Sequence, residues 1–215
     1  MSHRAWSFGE ELAHSVTHGL GWAASLVGLV VLVALTSQTG DPWRMVTCAV
    51  YASTLVLLYA TSTLYHALST TRARHVFQVL DHSAIFLLIA GTYTPFALVS
   101  LRGPWGWTVF GIIWVLAAAG VTLKAVFGPR WPILSTALYI AMGWTVVIAA
   151  KPLIASVPAA GIAWLAAGGL AYTGGVVFYA WGRMRYSHAV WHLFVLAGSV
   201  CHYIAILRYV ALPAA

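Results

Sequence analysis

Residues 105–127, WGWTVFGIIWVLAAAGVTLKAVF, run for 23 residues with Lys124 as the only charge. As a helix rising 1.5 Å per residue, about 20 such residues cross the roughly 30 Å hydrocarbon core of a bilayer. A helix apolar on every face has no water-facing side, so it belongs in lipid or deep inside protein. Working outward, the same pattern recurs and predicts further helices over residues 17–35, 43–68, 77–101, 133–150, 160–181 and 188–207. The breaks carry turn-forming and charged residues: Gly40-Asp41-Pro42, Arg72-Ala73-Arg74, Arg102-Gly103-Pro104, Gly128-Pro129-Arg130, Lys151-Pro152 with Pro158, and Arg183-Met184-Arg185.

Composition agrees. Of 215 residues, 61% are hydrophobic and 7% charged, against roughly 25% charged in a soluble domain. The expected architecture is all-α: one seven-helix transmembrane domain, integral in the cell membrane as a multi-pass protein. Residues 1–15, with Trp6, Phe8, Leu12, Glu10 and Glu11, are expected to form a short amphipathic segment on the inner surface. Arg4, Arg72, Arg74, Lys124, Arg130, Arg183 and Arg185 fall on one side of this topology, and Arg44, Arg102, Lys151 and Arg208 on the other. The basic excess marks the cytoplasmic side, which places the N-terminus inside and the C-terminus outside. No removable signal peptide is expected. The net charge of +7 is dispersed over loop ends, which suits lipid headgroups and argues against nucleic acid as a partner.

Several residues read as packing. Cys48 and Cys201 are expected as free thiols. The small residues Ala166 to Gly169 and Gly174-Gly175 allow close helix approach, and Trp43, Trp105, Trp107, Trp131 and Trp181 are interfacial anchors. His202 is expected to be a hydrogen-bonded packing residue, and His3 and His75 to be solvated loop residues. Pro95 is expected to bend its helix, with Thr92 or Thr94 helping to satisfy the freed carbonyl.

The remaining histidines are different. An ionisable group inside the hydrocarbon region is costly and marks a functional site by default. Alternation of seven helices brings His14 and His18, Ser62 and His66, Asp81 and His82, and His188 and His192 to one depth. His188 and His192 stand four residues apart on one helix face, able to share a metal. Ser62 and His66 share that spacing. With His66 as a third ligand, three neutral imidazoles plus a water is the ligand pattern of catalytic zinc, and Asp81 can orient or deprotonate that water. His14 and His18 form another such pair, which shows how readily the spacing arises. Glu11 is suited either to the helix dipole or to holding a ligand imidazole. His18 is a neighbour or substitute ligand, and His82 either a further outer partner or merely interfacial.

These residues also carry a resemblance. Glu11-Leu-Ala-His14-Ser-Val-Thr-His18, Ser62-Thr-Leu-Tyr-His66, Leu80-Asp81-His82, Ala90-Gly-Thr-Tyr-Thr-Pro95-Phe96 and Ser187-His188-Ala-Val-Trp-His192 resemble the successive signatures of the hemolysin III proteins. That family is the bacterial branch of the progestin and adipoQ receptor superfamily. The resemblance implies seven membrane helices around one Zn²⁺ held by His66, His188 and His192, with Ser62 and Asp81 beside it. Where the family's first motif usually has asparagine, this chain has His14. A wider likeness to alkaline ceramidases implies a zinc-dependent hydrolase of a lipid amide or ester, in which Asp81 takes a proton and Ser62 helps hold the oxyanion. Two other readings stay open. One is a structural zinc in a receptor-like or stress-sensing bundle with a lipid ligand. The other, which continuous apolar helices disfavour, is a pore-forming cytolysin.

Overall fold

The first helix begins at a cap, ahead of the hydropathic run. In the computed structural model, which describes residues 6–212, the Ser7 hydroxyl accepts from the Glu10 N–H, and Glu10 Oε2 accepts from the Ser7 N–H at 2.9 Å. This reciprocal box satisfies two backbone donors and starts α1 at Phe8–Ser37, nine residues before the predicted Thr17. Residues 8–15 are therefore the opening turns of α1, with Glu10 and Glu11 buried in the bundle, rather than a separate surface helix. His3 and Arg4 lie outside the described residues.

The other elements follow in order: α2 (Pro42–Ala67), α3 (Arg74–Pro95), α4 (Pro104–Phe127), α5 (Pro132–Trp144), α6 (Ala150–Ser156), α7 (Ala159–Ala180) and α8 (Ser187–Ile206). The α3 and α8 helices end in wider π turns, Phe96–Ser100 and Leu207–Ala211, while the 3₁₀ segment Thr145–Ala149 joins α5 to α6. The described residues thus contain seven segments long and apolar enough to cross a membrane, with α5 and α6 sharing one. Pro152 does not end this fifth segment as predicted. It falls in the first turn of α6, where no backbone N–H is needed, and the helix runs on to Ser156. Pro95 is followed by the π turn. Thr92 and Thr94 bond Leu88 O at 2.7 Å and Ala90 O at 2.8 Å, so neither reaches the Gly91 carbonyl four residues before the proline.

In the plane, α1 packs on α2, α2 on α3, α3 on α4 and α7 on α8, and α8 returns to α1. This ring order was not readable from hydropathy. The α5 segment meets its neighbours only sparsely, and a large cavity opens beside it. Arg44 fastens the end of α8 to the start of α2 by donating to the Val210 and Leu212 carbonyls, the latter at 3.1 Å. Cys48 and Cys201 are both free. The five predicted tryptophan anchors are exposed on the bundle surface.

Glycines mark the tight crossings. A Cβ on Gly168 would lie 2.4 Å from the His202 ring, and one on Gly175 2.7 Å from Phe194. Gly106 is the strictest case, because its Cβ would meet the Ala97 backbone carbonyl at 2.1 Å and backbone cannot rotate away. We expect Gly106→Ala to cost about 1–3 kcal/mol, read as a lowered Tm in detergent. Gly111→Ala, facing open space, is expected to leave Tm unchanged.

Candidate metal centre

The starts of α1, α3 and α8 and the end of α2 meet at one end of the bundle, and four imidazoles converge there. The His66, His188 and His192 centroids are 5.2, 5.2 and 4.6 Å apart, and each residue offers a ligand atom within 4.8 Å of the others. His14 packs against the same three rings. Trp6 covers the group, with its centroid 4.7 Å from His188 and 4.9 Å from His14.

Hydrogen bonds fix which nitrogens are free. His66 Nδ1 lies 2.8 Å from Glu11 Oε2, and a carboxylate only accepts, so Nδ1 carries the proton and Nε2 keeps its lone pair. On His192, Nδ1 lies 3.1 Å from Thr17 Oγ1. Thr17 spends its one hydroxyl proton on the Ala13 and His14 carbonyls at 2.8 and 2.9 Å, so here too Nδ1 donates. Both Nε2 atoms are buried without a hydrogen-bond partner. Two buried lone pairs with no protein partner, beside a third imidazole, are costly unless something electrophilic satisfies them, and a soft-to-borderline divalent cation such as Zn²⁺ suits an all-nitrogen set. The residues therefore fit a metal.

Glu11 is itself held. Arg74 donates from Nη2 to Glu11 Oε1 at 2.8 Å, and its guanidinium lies 5.6 Å from the Tyr65 ring centroid. The line Arg74, Glu11, His66 sets the orientation of the ring and raises its basicity as a ligand. A second grouping, Glu11, His14 and His66, also has ligand atoms within 4.8 Å. Both Glu11 oxygens in it are already engaged, one by a guanidinium, which disfavours a second cation there. We expect Glu11→Gln to weaken zinc binding about 10–100-fold, measured by chelator competition. Unchanged affinity would show that the carboxylate does not support the ligand.

The other expected residues divide. His18 stacks on His192 at 3.5 Å between centroids, and its Nδ1 lies 2.7 Å from Ser62 Oγ. Asp81 is buried with the Ser62 side chain as its polar neighbour and lines the cavity wall with His188. Among the described residues, His82 belongs to neither group of ligand atoms within 4.8 Å of one another. Its carbonyl accepts from Tyr139 at 2.8 Å, and its side chain lines the cavity. His202 lies deeper, with Nε2 3.2 Å from the Leu165 carbonyl.

Sequence reasoning passed over three contributors. Arg74 read as a loop charge, although it heads α3. Thr17 carried no signal beyond its place one turn from His14. The third is the Ser7-x-x-Glu10 box, a legible capping signature, whose Glu10 also accepts from the Tyr186 N–H at 3.3 Å. Tyr186 has a left-handed φ of +60° just before α8, costing about 1–3 kcal/mol, and this tie holds the turn that delivers His188.

A cavity of about 1760 Å³ runs from this cluster between α3, α5, α7 and α8. Its deeper walls are apolar, with Leu88, Phe96 and Val195 among them. Seven apolar segments and a buried imidazole–carboxylate cluster at one end define a multi-pass membrane protein with a candidate metal centre. Residues 6–203 match the family described as "Haemolysin-III related". The chain belongs to this haemolysin III family, within the progestin and adipoQ receptor superfamily. It is 45% identical over 206 residues to "Hemolysin-3" of Bacillus cereus, covering 96% of this chain and 94% of that one. It is 42% identical over 200 residues to "Hemolysin-3 homolog" of Bacillus subtilis (strain 168), covering 93% and 94%. The human "Monocyte to macrophage differentiation factor" is 29% identical over 222 residues, covering 97% and 91%.

Proposed function

We propose that this protein binds one Zn²⁺ through His66, His188 and His192 and hydrolyses an amide or ester bond of a membrane lipid. The observation that carries this reading is the pair of buried, unpartnered Nε2 lone pairs of His66 and His192 beside His188, which lines an apolar cavity together with Asp81. When bound, zinc supplies Lewis acidity, polarising a carbonyl and lowering the pKa of water to about 7.

The chain's own groups do the rest. Apolar walls take up acyl chains and leave the polar linkage at the imidazole end. Asp81, held off the imidazole cluster, receives the proton of the attacking water. The Ser62 hydroxyl, 2.7 Å from His18 Nδ1, bonds the Asp81 carboxylate; once Asp81 has taken the proton it releases this hydroxyl, which then steadies the negative charge on the carbonyl oxygen. Trp6 limits water entry over the rings. The excess of basic residues at this end supports a cytoplasmic location for it.

The test is incubation of purified protein with a panel of lipid amides and esters, with and without a zinc chelator. The expected result is fatty-acid release that stops on chelation and returns with added Zn²⁺. Absence of zinc-dependent release across the panel would defeat the hydrolase.

A further inference from the structure

Resting on the zinc reading, we infer that His14 is a fourth, displaceable zinc ligand, so that the resting site is closed by four imidazoles and holds no water on the metal. The His14 centroid lies 4.7, 4.8 and 5.5 Å from those of His66, His188 and His192. With the 5.2, 5.2 and 4.6 Å among those three, all six edges of the figure are nearly equal. Four imidazoles bound at about 2.0–2.1 Å around a tetrahedral zinc have centroids roughly 5 Å apart. The rings already stand at the corners of such a site.

A second observation concerns the nitrogens. His14 is wholly buried, and neither Nδ1 nor Nε2 has a hydrogen-bond partner. Its neighbour Glu11 does not satisfy it: Glu11 Oε2 is 3.8 Å from His14 Nδ1 and already accepts from His66 at 2.8 Å. A buried imidazole with both nitrogens idle is expensive, and coordination relieves that cost. The ligand atoms brought within 4.8 Å are those of His66, His188 and His192. His14 joins them by turning about χ2, a near-isosteric change that exchanges ring nitrogen and carbon and that no hydrogen bond opposes.

The chemistry follows from coordination number. A zinc closed by four protein ligands has the character of a structural site, whereas turnover needs an open position. His14 therefore sets the switch between the two: with its imidazole turned aside by an entering lipid, a position would open for the water that the proposed chemistry needs, while Glu11 and Thr17 keep His66 and His192 fixed.

The experiment is X-ray absorption at the zinc edge on zinc-loaded wild-type protein and on His14→Asn, both in lipid nanodiscs. Four imidazoles in the wild type and three plus one oxygen in the variant are expected, with metal retained at about one per chain in both. Three imidazoles and an oxygen in the wild type would overturn the role of His14 while leaving the zinc site standing. Four imidazoles in both proteins would also overturn it, pointing to His18 instead. Wild-type protein that retains no zinc would overturn this inference and the proposed function together. Should His14→Asn fail to fold, His14→Gln takes its place, with three imidazoles plus one oxygen expected there and four imidazoles again overturning the role of His14.

Discussion

Replacing His66 with alanine is expected to reduce bound zinc from about one per chain to about a tenth or less, measured by elemental analysis after dialysis. The size follows from how the site is drawn from the fold. His188 and His192 share one helix, so once His66 is gone α2 contributes no ligand and only the displaceable His14 of α1 remains to tie α8 to another helix. The change also strips Glu11 of the donor at 2.8 Å, leaving a buried carboxylate with Arg74 as its sole strong partner. His202→Ala is the matched control. It removes an imidazole from the same helix, but one bonded to Leu165 O and about 15 Å along the axis from His192, so zinc should be retained. Equal zinc in wild type and His66→Ala, with both proteins folded, would refute the site.

Asp81→Asn is expected to lower hydrolysis by about 10²–10⁴-fold while zinc content stays the same, since it removes a proton acceptor and no proposed ligand. Asparagine is close in size and keeps a polar contact with Ser62, so packing in this buried position changes little. The two readouts separate the roles. Loss of zinc together with turnover would make Asp81 a ligand, and unchanged turnover would remove it from the chemistry.

The architecture could be read from the sequence because each apolar run approaches the thickness of a bilayer, and because glycine, proline and charge collect at the breaks. Alternation then placed the histidines at one depth. Two things could not be read. Depth does not give position around a ring, so the contact of α1 with α8 that joins His18 to His192 needed the structure. Hydropathy also hides buried acids: Glu10 and Glu11 marked a surface segment by composition, although a capping box and partners on α2, α3 and the turn before α8 draw both inward. The fifth segment was cut short for a related reason. Lys151-Pro152 has the composition of a turn, and the 3₁₀ segment before it lets the chain continue instead.

The imidazole cluster draws on α1, α2 and α8, elements made early and late in synthesis. A nascent chain still on the ribosome therefore has its first two contributors in the bilayer long before the final pair arrives. The proposed ligand set is complete only when α8 has arrived, so a chain arrested before it would hold the Glu11–His66 pair without His188 and His192.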